Sequence, residues 1–285
     1  MRITGFLLAS ALLVTGAAVA QDTPDTLSEI KKRGTMVIGY RDDARPFSYK
    51  GDDGQPTGYS VDLCRKIADE VKRATGLETL DIQYKPVPSA DRIAMVASGD
   101  VDIECSSSTH TLERREQVDF TLATFVTGAE MLTGKDSGIN DIADVAGKTV
   151  GVLKGTTTEE GLTAALKATA VDAEVKSFAS HDEGIEALKN NQIQAYFADR
   201  ILLLGLAKTF PDPSQYQLSG RFYSYEPYAL VVRKGDTAFR LAADRALSEL
   251  YRSGEVWKLY SKYFGEANPS ELLVALYILN GIPVR

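Results

Sequence analysis

Histidine and cysteine are scarce in this chain, two of each in 285 residues, and that scarcity removes whole classes of chemistry. Neither Cys64 nor Cys105 has the neighbours of a metal site, so no metal is expected. His110 and His181 lack any diagnostic partner in sequence, and a lone histidine is more often a hydrogen-bonded structural residue than a general base. The G-x-S-x-G elbow, the H-E-x-x-H pair and the GxxxxGKS or GxxxxGKT loop are all missing, so neither a catalytic residue nor a cofactor is expected. No stretch reaches the roughly 20 apolar residues that a bilayer-spanning helix needs. Basic residues are also in deficit, 32 against 39 acidic, for a net charge of −7. That sign argues against a nucleic-acid partner.

What is present is the balance of a soluble globular protein, 25% charged and 44% hydrophobic, at a length that suggests about two domains. Residues 1–20 carry one charge, Arg2, then an apolar run and small residues ending in Ala18-Val19-Ala20. This reads as a secretory signal peptide cut before Gln21, which places the mature chain in an exported, periplasmic setting. No cysteine at the cleavage site invites a lipid anchor. In an oxidising compartment Cys64 and Cys105 can form one disulfide; two free buried thiols are the alternative.

Strand and helix signals alternate along the chain. Asp25 to Arg33 reads as a helix closed by Gly34, and Thr35 to Tyr40 as a strand. Cys64, Ile67, Ala68 and Val71 recur at helical spacing before a stop at Gly76. A strand over 80–85, a helix over 90–97 and a strand over 101–104 follow, the order of an α/β protein with parallel pairing. Two stretches return later. Gly34 to Arg41 matches Gly147 to Lys154 in layout, and Ser98 to Ile103 is echoed by Asn190 to Ala195. The repeat supports two lobes of like architecture, although unrelated βα units also produce such echoes. The extended segments 125–133 and 225–233 are candidates to cross between the lobes. On that division the first lobe is discontinuous (22–126 and 227–268) and the second spans 130–223. The tail 269–285, apolar over 272–279 but too short to span a bilayer, packs on the first lobe.

In open α/β sheets, ligands sit beyond the carboxyl ends of the strands, where loop amides and helix N-termini point. The residues found there are Arg41, the run Ser106-Ser107-Ser108-Thr109, the run Gly155-Thr156-Thr157-Thr158, and Asp199. The second echo pairs Ser107 with Asp199 across a cleft. The threonine run can cap a helix and hold an anion on free amides, though capping alone accounts for one threonine. Ser89 can cap the helix that follows it. Arg92 then faces outward in the first turn, where a cation opposes the helix dipole and calls for an anionic partner. Arg114, taken alone, reads as a solvated residue paired with a neighbouring glutamate. Arg41, Arg92 and Arg114 make three cations, His181 is a candidate fourth, and Asp199 is the one acid among them. A complementary ligand carries two carboxylates and one ammonium, because the arginine fork matches carboxylate geometry. Asp42, Asp43, Asp91 and Glu113 are close enough in sequence to occupy the same arginines instead.

Together these residues resemble the periplasmic solute-binding proteins of ABC transporters for polar amino acids, and among them the glutamate/aspartate-binding branch. The resemblance runs from about Asp25 to about Gly265. It rests on the order and spacing of Gly39-Tyr40-Arg41, Pro46-Phe47-Ser48-Tyr49, Gly58-Tyr59-Ser60-Val61-Asp62, Ser89 with Arg92, Asp102 through Thr109, Leu112-Glu113-Arg114, Val118-Asp119-Phe120, Gly155-Thr156-Thr157 and Ala198-Asp199. It implies the type II periplasmic-binding-protein fold, two α/β lobes joined by two crossing hinge strands. It also implies a monomeric, non-enzymatic receptor that closes on glutamate or aspartate and is read by a membrane permease. Carried over residue by residue, Arg114 holds the α-carboxylate with Ser107, Thr109 and Thr156. Asp199 accepts from the α-ammonium, and Arg41, Ser89, Arg92 and His181 surround the side-chain carboxylate. Phe47 is either a wall of the pocket or part of the core. The chain departs from the branch over Ser106 to Thr111, at Leu153, where a hydroxyl residue is usual, and in its apolar tail. Relatives on this scaffold include dehydratases for prephenate-like dicarboxylates, in which His181 or Glu104 would have to act unaided. Others are sensor modules fused to a membrane helix, a reading this chain does not favour.

Overall fold

A computed structural model describes residues 25–284, and the signal peptide expected over 1–20 lies outside them. In chain order the first elements are α1 (Thr26–Arg33), β1 (Thr35–Tyr40), β2 (Asp43–Ala44), β3 (Ser48–Lys50), β4 (Pro56–Thr57), α2 (Tyr59–Thr75), β5 (Asp81–Pro86), α3 (Arg92–Ala97), β6 (Ile103–Glu104) and β7 (Val118–Thr127). After Gly128 come β8 (Ala129–Gly134), β9 (Thr149–Leu153), α4 (Thr157–Thr169), β10 (Glu174–Phe178), α5 (His181–Lys189), β11 (Ala195–Asp199), α6 (Arg200–Ala207) and β12 (Tyr216–Leu218). Then follow β13 (Glu226–Arg233), α7 (Thr237–Ser253), α8 (Val256–Phe264) and α9 (Glu271–Asn280).

Local chemistry sets many of the boundaries. Asp25 caps α1 by accepting from the Ser28 amide, and Gly34 ends it in the left-handed conformation that glycine adopts without strain. The helix expected over 90–97 begins at Arg92, behind Asp91, and Ser89 does not cap it.

The strands form two five-stranded sheets, ordered β5-β1-β6-β13-β7 and β10-β9-β11-β8-β12, plus a small sheet of β2, β3 and β4. In each large sheet three parallel strands are followed by two antiparallel neighbours. The two sequence echoes fall on equivalent strands. Gly34 to Arg41 and Gly147 to Lys154 supply β1 and β9, the second strand of each sheet; the other pair leads into β6 and β11, the third.

The inner strands β1, β9, β11 and β13 are covered on both faces and read as nearly continuous apolar runs, whereas the edge strands β5 and β10 are polar and largely open to water. In the second lobe Leu132 and Tyr196 pack with α5 and α6 residues on one face, while Met131 and Phe197 pack with Val145, Leu162 and Leu166 on the other. The first lobe buries Ile38, Leu63, Ile67, Leu230 and Leu247 around an aromatic nest of Phe47, Tyr59, Phe125, Tyr228 and Phe264. Phe47 is therefore a core residue and not a pocket wall.

The lobes connect where β7 passes through Gly128 into β8 and where the chain returns into β13. The crossings touch: a Cβ on Gly128 would stand 2.4 Å from the Ser224 carbonyl oxygen. Cys64 of α2 is bridged to Cys105, directly after β6, which decides between the two alternatives for these cysteines. Closing a loop with a sequence separation of 41 restricts the unfolded chain by about 4 kcal/mol on a chain-entropy account.

In the tail, α9 rests against β7 and α7. Tyr277 donates to the Thr124 carbonyl and meets the Tyr59 hydroxyl at 2.7 Å. Leu273 and Tyr277 are buried, whereas Leu272, Ile278 and Leu279 face outward. Among the described residues no helix is long and apolar enough to cross a membrane.

Candidate functional site

The carboxyl ends of the parallel strands from both lobes converge on one cavity. Its wall includes Arg41 after β1, Arg92 at the start of α3, Ser107 and Thr109 after β6, Leu153 at the end of β9 with Thr156, Thr157 and Thr158 beyond it, His181 after β10 and Asp199 at the end of β11. The free space is about 20 Å³, room for about one water molecule, so a larger occupant requires the lobes to part. Of the nine residues expected to bind, seven lie in this wall; Ser89 and Arg114 stand beside it.

Arg92 is buried and directed into the cleft, not outward. Its Nε donates to Ser108 Oγ at 2.7 Å, and Nη1 donates to Ser89 Oγ at 2.6 Å, to the Ser89 carbonyl, and across the cleft to the Gly155 carbonyl at 3.4 Å. Behind it, Glu104 accepts from Ser106 and from Ser108. Ser89 is thus a support for Arg92. Burial, with the Arg114 and Arg41 charges adding to it, pushes the Arg92 guanidinium down to about 9. Cations depress one another only when they are close, so three arginines share one low-dielectric region, the electrostatic mark of a site built for an anion.

Arg41 has a protein partner. Asp43 Oδ1 accepts from Nε at 2.9 Å and from Nη2, while Asp43 Oδ2 accepts from the His181 backbone amide at 2.7 Å. One carboxylate therefore joins the first lobe to the N-terminus of α5 in the second. This corrects the expected charge count: Asp199 is the acid in the wall, but Asp43, Glu104 and Glu226 lie immediately behind it.

His181 is not a fourth cation. Nearly fully buried, it shares a 3.0 Å hydrogen bond between Nδ1 and the Tyr196 hydroxyl. Burial pushes its imidazole down to about 4, and the pull of Asp43 toward the charged form is opposed by Arg41 and Arg92. An imidazole kept neutral in the fold leaves protons to the unfolded chain. Stability is therefore complete above the ordinary histidine pKa and is lost as pH falls from about 6.5 through about 4, by about 3 kcal/mol in total. With two histidines in the chain, the His181 ring signal should titrate near pH 4, distinguished from His110 by a His110→Gln variant. A midpoint above 6 would mean that the ring is solvated.

The threonine run divides its tasks. Thr156 caps α4, accepting from the Glu159 amide at 3.1 Å and donating to the Leu153 carbonyl at 2.7 Å, so its one hydroxyl proton is taken locally although the residue lines the cavity. Thr157 donates to Glu226 Oε2 at 2.7 Å and Thr158 to Asp199 Oδ1 at 3.1 Å. Thr109 also donates to Glu226 Oε2, at 2.6 Å, so its proton is unavailable to a carboxylate. Asp199 Oδ2 accepts from Tyr228, which reaches it from the aromatic nest. Burial and the nearby Glu226 carboxylate push the Asp199 carboxyl up. Ser107 makes no hydrogen bond among the described residues. Arg114 is half-buried, its Nη1 donating to the Thr109 carbonyl at 2.9 Å. Burial lowers its pKa against the opposing pull of Glu160, Glu226, Glu104 and Asp199.

Sequence reasoning missed Glu226, Tyr228 and Tyr196 as supports of the site and gave Thr157 and Thr158 no role of their own. Thr157 and Thr158 were visible in the GTTT run; the other three gave no local signal. Among the described residues no group of side chains could hold a metal ion.

Residues 36–266 match the family described as bacterial extracellular solute-binding proteins, family 3. A relative from Pseudomonas aeruginosa, named L-glutamate/L-aspartate-binding protein, is 38% identical over 94% of this chain and 90% of its own. The glutamate/aspartate import solute-binding protein of Salmonella typhimurium is 32% identical over 93% of this chain and 91% of its own. Among solved structures, an ancestral arginine-binding protein bound to arginine superimposes with a TM-score of 0.73 at 31% identity, covering 82% of this chain and 99% of that one.

Proposed function

The chain belongs to family 3 of the bacterial extracellular solute-binding proteins, and we propose that it captures glutamate or aspartate between its lobes and delivers it to the membrane permease of an ABC importer. The observation that carries this reading is the convergence of Arg41, Arg92 and Asp199 on one interlobe cavity, with the Arg114 charge close enough beside it to act on Arg92. The names of the relatives supply the class of ligand. In this reading Arg114 and the free amides at the start of α4 hold the α-carboxylate. Asp199 takes the α-ammonium, and Arg92 takes the side-chain carboxylate with Arg41, whose pairing with Asp43 leaves it the lesser contributor. Leu153 and Phe197 supply the apolar wall. Export across the inner membrane and a monomeric state belong to the same proposal.

A dehydratase is the weaker reading. Glu104 lies outside the cavity wall with both oxygens accepting from serines, and one ring nitrogen of His181 is engaged by Tyr196, so neither is placed as a free general acid.

Isothermal titration of the mature protein, unfolded and refolded to strip carried-over ligand, against the common amino acids and a few dicarboxylates tests the proposal. Saturable binding of glutamate or aspartate with no response to neutral amino acids is expected. Binding only of neutral or basic amino acids would overturn the ligand assignment.

Closure can be tested separately. Gly205 of α6 lies against the first lobe, where a Cβ would stand 2.6 Å from the Arg45 carbonyl oxygen. Gly205→Ala should improve helix propensity by up to about 1 kcal/mol while propping the lobes apart. We expect ligand release about tenfold faster by stopped-flow (about 1.4 kcal/mol), with no fall in thermal stability. An unchanged release rate would show that this contact does not limit closure.

A further inference from the structure

Glu226 begins β13 at the return crossing and is buried, yet it does not line the cavity. Three hydroxyls give it their protons: Thr109 from the first lobe and Thr157 from the second at Oε2, and Ser224 at Oε1, at 2.6, 2.7 and 2.5 Å. A carboxylate has no proton to return, and a threonine hydroxyl has only one to give. Thr109 and Thr157 do line the cavity, and their hydroxyl oxygens, 3.3 Å apart, can therefore meet an occupant only through lone pairs.

We propose that Glu226 is a positioning residue for amine recognition: by taking the Thr109 and Thr157 protons it turns both hydroxyls into acceptors aimed at the ligand ammonium. The inference rests on the proposed capture of an α-amino acid and adds to it a reason for amine selectivity. With Asp199 alone, a hydroxy acid could replace the amino acid by donating its single proton. With three acceptors in the wall, an ammonium satisfies all of them, and a hydroxyl leaves two buried acceptors unpaired, which is costly.

The test compares each α-amino acid with its hydroxy analogue. In Glu226→Gln the side-chain amide can donate to one threonine, freeing that hydroxyl to point its proton into the cavity. The affinity ratio of glutamate to 2-hydroxyglutarate, measured by calorimetry on the full mature protein, should fall at least tenfold, mainly through lost glutamate binding. Thr157→Val removes one acceptor from the wall and leaves Glu226 in place with its bonds from Thr109 and Ser224; it should move the ratio in the same direction, which keeps the test open if Glu226→Gln fails to fold. Equal loss for both ligands, or no change in the ratio in either variant, would overturn the proposal. If the wild type prefers neutral amino acids, the ligand reading fails on that result alone. The amine inference is then judged with alanine against lactate.

Discussion

Arg114→Ala is expected to remove measurable binding of every α-amino acid, acidic or neutral. The guanidinium is half-buried among carboxylates, and among the described residues its own hydrogen bond within the protein is the one to the Thr109 carbonyl. Most of its donor capacity is thus left for a ligand. Truncating one partner of a buried, hydrogen-bonded charge pair costs about 2–5 kcal/mol, so the loss should lie between roughly 30-fold and several thousandfold. Because the α-carboxylate is common to all amino acids, the loss should not depend on the ligand side chain. The unliganded variant should unfold within about 0.5 kcal/mol of wild type, as substitutions away from the core do. Calorimetric titration and denaturant unfolding check the two parts, and binding within threefold of wild type would remove Arg114 from the site.

Arg92→Ala should act on the other end of the ligand. Here the side chain also holds the protein together, through Ser89, Ser108 and the Gly155 carbonyl of the opposite lobe, so some affinity is lost for any occupant. The informative quantity is a ratio. Glutamate and glutamine differ in whether a carboxylate or an amide meets Arg92, and the preference for glutamate should fall by about 10²-fold, the worth of one buried charge-assisted contact. Parallel loss for both ligands would place the side-chain carboxylate elsewhere. The same variant should relieve Arg41 and Arg114 of a neighbouring positive charge.

These residues were legible in the sequence for a physical reason: ligand groups in α/β lobes follow the carboxyl ends of strands, and strands announce themselves by apolar runs bounded by glycine. The equivalence of β1 with β9 and of β6 with β11 was readable on the same grounds. What was not readable depends on distant pairs. Glu226 meets Thr109 from 117 positions away, and nothing near either residue signals the meeting. The outward placement of Arg92 failed on a boundary: once α3 begins at that residue, its side chain leans back beyond the helix start into the cleft. Asp43 was visible as a competitor for Arg41, but its second bond, to the start of α5, required the closed arrangement of the lobes.

The strand order also dictates when each half of the molecule can be assembled. The second sheet takes all its strands from residues 129–218, one uninterrupted length of chain. The first sheet places β13 between β6 and β7, so its middle remains open until residues 226–233 are available. Pairing so far apart in sequence is slow to find, because the intervening chain must close before contacts repay the lost freedom. A chain emerging from its N-terminus thus keeps the first half of its cleft unfinished through most of its length while the second half can already form. Ligand capture is therefore the last property the polypeptide acquires, and a truncation that spares every cleft residue through Asp199 but loses β13 would leave a folded second lobe with nothing to close against.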